Sequence, residues 1–178
     1  MTKLRTAVAA LVGAGLVAVA VPSSAQPRDC AKPVTTWVVT DVARSYASTG
    51  IQTDWTYEPA TEHTLEVDRT ATARVDARVS PALASDAEAV LAAAAAASDV
   101  PLTRRFRATD HWIIAAYLPQ DARHLYRLRL RQETRTFTAT KYELAPGTCR
   151  YVRQRSGTGE MPRVGDGHLV WDTDRADA

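Results

Sequence analysis

The stretch His63-Thr-Leu-Glu-Val-Asp-Arg-Thr-Ala-Thr-Ala-Arg-Val-Asp-Ala-Arg-Val-Ser80 decides how this chain folds. Leu65, Val67, Ala71, Ala73, Val75, Ala77 and Val79 fall on every second residue, and Arg69 is the one interruption. Glu66, Asp68, Thr70, Thr72, Arg74, Asp76, Arg78 and Ser80 fill the alternate positions. Successive strand side chains point to opposite faces, so a period of two marks an extended segment with one packed and one wet face. The pattern suits one long strand or two joined by a bulge.

Downstream the period changes. Pro81 suits a helix opening, and Ser85-Asp86-Ala87-Glu88 has the form of a capping box with carboxylates at the positive helix end. Val90-Leu91 and the alanines Ala92 to Ala97 continue it until Val100-Pro101. The chain then returns to β-rich segments, Thr103–Ala108 and Trp112–Leu118 before a turn at Pro119-Gln120-Asp121, then Arg123–Gln132 and Thr134–Leu144. Ala145-Pro146-Gly147 is a turn, Cys149–Val152 a strand, Ser156–Gly167 a loop, and Gly167–Trp171 a short last strand. Upstream, Val34–Thr40 is dense in β-branched residues and reads as the first strand, with Asp54–Tyr57 a short second one ended by Pro59. The fold class expected is mainly β within α+β: an antiparallel sheet or sandwich with one Ala-rich helix packed on it.

The first twenty-five residues belong to another category. Lys3 and Arg5 precede a fifteen-residue apolar run from Ala7 to Val21, and Pro22-Ser23-Ser24-Ala25 supplies small residues for cleavage after Ala25. This is the layout of a secretory signal peptide, with an apolar run too short to span a bilayer comfortably. Gln26, not Cys, follows the cut, so a released, extracellular product is expected rather than a lipid-anchored one. One domain over residues 26–172 is expected, with a frayed polar tail at 173–178. Cys30 and Cys149 lie near the two ends of that domain, and an exported chain with an even cysteine count leads us to expect a Cys30–Cys149 bridge. In the chain-entropy account such a long loop restricts the unfolded state by about 4–5 kcal/mol.

The formal charge of +2 resides in Lys3 and Arg5, which makes the chain after Ala25 neutral. Its distribution is uneven: Asp54–Asp99 carries nine acidic and three basic residues, and Leu102–Arg155 twelve basic and four acidic. Arg127, Arg129 and Arg131 share one strand face at about 7 Å intervals. Arg135 and Lys141 are candidates for extending the row across a neighbouring strand. Such a ladder can hold an anionic cell-envelope polymer. It lacks the interleaved aromatics of single-strand nucleic-acid binders, which disfavours nucleic acid as a partner. The bland counterpart is a row neutralised by Glu66, Asp68 and Asp76 of the long strand.

Other chemistry is thinly represented. None of His63, His111, His124 and His168 has metal-ligand spacing with another, and Asp166-x-His168 with Asp172 and Asp174 is the one loose cation candidate. There is no Gly-x-Ser-x-Gly elbow, and Asp110-His111 are strand neighbours that point apart. No catalytic residue, metal or cofactor is assigned. Trp37, Trp55, Trp112 and Trp171 are scattered and read as core or edge packing.

The alternating strand ending Ala77-Arg78-Val79-Ser80, the helix start Ser85-Asp86-Ala87-Glu88-Ala89-Val90 and the Thr- and Arg-rich strands that follow resemble small secreted proteins of actinobacteria to which no function is assigned. Pro119-Gln120-Asp121 stands where those carry Pro-x-Gly. The resemblance implies a fold and an extracellular home and transfers no catalytic residues. The expectation is a secreted, non-enzymatic β protein binding an anionic envelope polymer. The alternatives are a membrane-active protein that inserts a β-hairpin and a small secreted hydrolase.

Overall fold

A computed structural model describes residues 34–56, 63–118, 124–146 and 148–177. The expected signal segment, Cys30, Pro59 and the expected turn at Pro119–Asp121 lie outside the described residues. The elements run β1 (Thr35–Gln52), β2 (His63–Asp76), β3 (Arg78–Val79), a 3-10 segment (Pro81–Asp86), α1 (Ala87–Ala97), β4 (Arg105–Leu118), β5 (His124–Ala145), β6 (Arg150–Pro162), a 3-10 turn (Asp166–His168) and β7 (Leu169–Asp177). Among the described residues the fold is mainly β with antiparallel sheets and one α-helix, as the sequence predicts.

The twenty-two residues of β5 form the spine. β1 pairs along one side of it, from Thr35 opposite Glu143 to Gln52 opposite Arg129. Along the other side, β6 pairs with the C-terminal half and β7 with the N-terminal half. β3 adds two residues outside β6. β2 and β4 form a separate two-stranded ribbon, in register from His63 opposite Leu118 to Asp76 opposite Arg105.

Because side chains alternate along β5, its two faces can be covered separately, and they are. The even residues Tyr126, Leu128 and Leu130 pack under the ribbon, against Leu65, Val67, Ala73, Val75 and Phe106. The odd residues Phe137 and Ala139 pack under the helix, against Leu83, Val90, Leu91 and Ala94, with Met161 of β6. Each buried Val, Leu or Phe contributes about 1.5–3 kcal/mol. Between these two stretches of β5, Gln132, Glu133, Thr134 and Arg135 are all buried. The helix thus covers one half of the sheet on one face, and the ribbon covers the other half on the opposite face. Among the described residues, two sheet surfaces carry no second layer.

Several boundaries differ from expectation. His63–Ser80 is two strands: it breaks at Ala77, whose N–H donates to Arg104 O at 2.8 Å, and β3 crosses to the larger sheet. Thr103–Leu118 and Arg123–Leu144, each read as two strands, contain single strands, since neither stretch has a Gly or Pro to interrupt pairing. The expected loop Ser156–Gly167 is largely β6. Gly157 and Gly159 there admit the layer above: a Cβ at 157 would collide with Ser80 and Leu83, and one at 159 with the Phe137 ring. The capping box does not form. The 3-10 segment runs directly into α1, and Asp86 turns its carboxylate to Arg155 and Lys141 instead. The expected frayed tail is also corrected, because Thr173–Asp177 continue β7, hydrogen-bonded to β5 from Leu128 to His124.

Candidate functional site: an arginine face

The odd face of β5 that the helix leaves uncovered carries Arg127, Arg129 and Arg131, as the alternation predicts. Their partners are not those expected from the long acidic strand. Asp76 pairs with Arg107 and Asp68 with His111, both on the outer face of the ribbon. The ladder faces β7, where Asp174 lies opposite Arg127 and Asp172 opposite Arg129. Asp174 is shared by three guanidiniums: Arg127 Nε donates at 2.9 Å, Arg131 Nη2 donates at 2.5 Å, and Arg129 Nη2 lies 2.7 Å away. Asp172 lies 3.0 Å from Arg131. Two of the four residues grouped in the sequence as a loose cation candidate, Asp172 and Asp174, are thus counterions of the arginines. Among the described residues, no group of three His, Cys, Asp or Glu is placed to hold a metal ion.

Arg135 belongs to an adjoining cluster. It is 5% exposed and donates to Glu133 Oε1 at 2.5 Å. Arg163 reaches Glu133 at 3.2 Å and Arg44 at 3.4 Å, while Asp99 stands 3.8 Å from Arg135. Burial pushes the Glu133 carboxyl up. The hydrogen bonds and charges of Arg135, then of Arg163, outweigh it and hold the group below its ordinary range. Lys141 does not join the row. Helix-covered Phe137 and Ala139 separate it from the arginines, and it pairs with Glu143 at 3.0 Å and Asp86 at 3.9 Å.

Three contributors escape a reading of the linear sequence. Arg44 arrives because register sets it opposite Arg135, Arg163 because the supposed loop is structured, and Trp55 because the chain after β1 continues beside β5. Arg127 stacks over the Trp55 ring, 4.3 Å from its centroid. The face therefore sets Arg44, Arg127, Arg129, Arg131, Arg135 and Arg163 against Asp99, Glu133, Asp172 and Asp174. Two positive charges are in excess. Each guanidinium has five donors, far more than these carboxylates can accept. Among the described residues, five buried side-chain polar atoms lack a well-aligned hydrogen bond; three are Nε atoms here, of Arg129, Arg131 and Arg163, and that of Arg131 still lies 3.0 Å from Asp172 Oδ2. Two cavities open on the same face, one of about 450 Å³ beside Tyr46, Arg131 and Asp172, the other of about 570 Å³ beside Arg44, Asp99 and Arg135.

A second constellation appears only across strands. His111 Nδ1 lies 3.1 Å from Thr70 Oγ1 and Nε2 lies 2.9 Å from Asp68 Oδ1. Hydroxyl, imidazole and carboxylate follow the order of a catalytic triad. Both His111 and Asp68 are more than half exposed on a two-stranded ribbon, so water surrounds the imidazole and no walls hold an acyl group. Asp110 instead accepts from the His111 backbone N–H at 2.8 Å.

Cys149 is not a free thiol, and Cys30 lies outside the described residues. No family model matches the chain, nor does any curated protein or solved structure.

Proposed function

We propose that this protein is a secreted, non-enzymatic binder of an anionic cell-envelope polymer, and that the arginine face is its contact surface. The observation that carries the reading is the row of three guanidiniums that share only Asp172 and Asp174 among the described residues, on a face two positive charges in excess. A phosphate or carboxylate from outside supplies the acceptors that Asp172 and Asp174 cannot. Those aspartates hold the guanidiniums in a fixed row, so a ligand meets arginines whose rotamer entropy is already lost. Repeating anionic groups along a polymer match repeating arginines along a strand.

The membrane-active alternative has less support. The apolar side of β2 and β4 is the inner wall of the core, through Leu65, Val67, Val75 and Phe106, and insertion would require tearing it off the sheet. Among the described residues no helix is long and apolar enough to cross a membrane, which says nothing of spanning by strands.

The test is co-sedimentation of the purified protein with teichoic-acid-bearing cell walls at low and high salt. The expected result is pelleting that weakens steeply with salt and is lost in R127S/R129S/R131S, whose circular dichroism stays native. Pelleting that ignores salt, or that survives the triple substitution, removes the proposal.

A further inference from the structure

The other uncovered surface is the even face of the sheet's C-terminal half. Register lines up Thr40, Thr138 and Thr158 across β1, β5 and β6, with Val38, Thr140 and Ser156 one rank along. A groove of about 540 Å³ opens beside the first rank, between Asp41 on one wall and the Arg78–Glu160 pair on the other. We infer that this groove is a second binding site, for a neutral polyhydroxylated ligand of the size of a hexose unit.

The polar groups divide into fixed and spare ones. Glu160 is fully engaged: Oε2 accepts from Arg78 Nε at 2.8 Å and Oε1 from Thr134 Oγ1 at 2.6 Å. That pair neutralises Arg78 and leaves its remaining N–H groups directed outward, on a side chain 75% exposed. The hydroxyls of Thr138 and Thr158 make no hydrogen bond among the described residues. Asp41 sits at the β1 bulge with φ 54°, a conformation that lifts it clear of the strand. Its Oδ2 accepts from Thr40 Oγ1 at 3.1 Å, and Oδ1 is left for a ligand.

Vicinal hydroxyls need this mixture. One donates to a carboxylate, its neighbour accepts from a guanidinium, and threonine hydroxyls do either. The threonine methyls supply apolar contact for a C–H face. The groove carries one net negative charge, from Asp41, so it disfavours the anions that suit the arginine face. The two sites are therefore separable.

The experiment is titration of the ¹⁵N-labelled protein with methyl β-D-glucopyranoside and methyl α-D-mannopyranoside, followed by amide shifts. Spermidine serves as the cationic control. The expected result is saturable shifts centred on Asp41, Thr138, Thr158 and Gly159, with a dissociation constant in the millimolar range. T138V/T158V keeps the β-branched shape, and D41N tolerates the same backbone conformation. Each is expected to weaken binding by up to about tenfold. R127S/R129S/R131S is expected to leave it unchanged, so failure here and failure of the arginine reading are distinguishable. No saturable shift with either glycoside, shifts centred elsewhere, shifts insensitive to both groove variants, or shifts with spermidine alone would each overturn the assignment.

Discussion

Asp174 holds three guanidiniums in place with one carboxylate, as Glu133 does in the adjoining cluster. Its side chain is 14% exposed, so removing its charge leaves like charges crowded with little water between them. Asp174→Asn is expected to cost about 2–3 kcal/mol in chemical denaturation, below the range for fully buried pairs because the arginines remain partly wet. It also adds a positive charge to the face, so wall binding should tighten and depend more steeply on salt. Lower stability with weaker binding would mean that the aspartate's ordering of the row outweighs the charge it cancels. Glu133 makes the matching acid-side prediction. Its folded pKa lies below the unfolded value, so the unfolded state binds the extra proton and stability rises with pH. The contribution is complete above the unfolded value, near 4.3, and is lost as pH falls through the folded value. Urea midpoints measured downward from pH 5 should fall, and Glu133→Gln should flatten that part of the slope. Neither role was legible in the sequence: the alternation placed the arginines on one face, but the segment from Thr173 onward was expected to fray, and only tertiary register identifies Asp174 as their partner.

At the level of elements, legibility followed periodicity. The β2 alternation, the alanine helix and the face shared by Arg127, Arg129 and Arg131 were readable because each is a local pattern repeated over several residues. Strand length was not, since residues such as Gln132 and Glu133 look like a break until their burial is known. Gln132 Nε2 donates to the carbonyls of Arg163 and Gly165, and Glu133 gathers arginines, which allows polar side chains to sit mid-strand. β6 was misread for a related reason. Gly157 and Gly159 look like turn punctuation, yet they are strand residues whose missing side chains let the 3-10 segment and the Phe137 ring approach. Gly159→Ala should therefore act as overpacking, costing about 1–3 kcal/mol and shifting the Phe137 ring resonances. A neutral effect would mean that the glycine serves backbone freedom alone.

Across the whole molecule, the layers are joined unequally. The helix side is tied to the sheet through β3 and through the backbone bonds of residues 101–103 to 162–164, such as Thr103 N–H to Pro162 O at 2.9 Å. The ribbon shares no ladder with β5 and meets it through side chains: Leu65, Val67, Val75, Phe106 and Trp112 against Ile51, Leu128, Leu130 and Trp171. A two-stranded sheet is marginal alone and borrows its stability from that contact. Native-state hydrogen exchange should accordingly show two tiers. Amides of β5 between Gln132 and Ala139, paired on both sides and buried, should exchange only through global unfolding. Amides of β2 and β4 should exchange through a cheaper opening that frees the ribbon. Val67→Ala, expected to cost about 2 kcal/mol, should lower the ribbon's opening energy while leaving the gap between the β5 tier and global unfolding closed. Equal protection throughout would mean that the side-chain contact alone makes the sandwich a single cooperative unit. In that case the arginine face and the threonine groove, which lie on opposite faces and opposite halves of the same spine, would be held rigid relative to one another by β5.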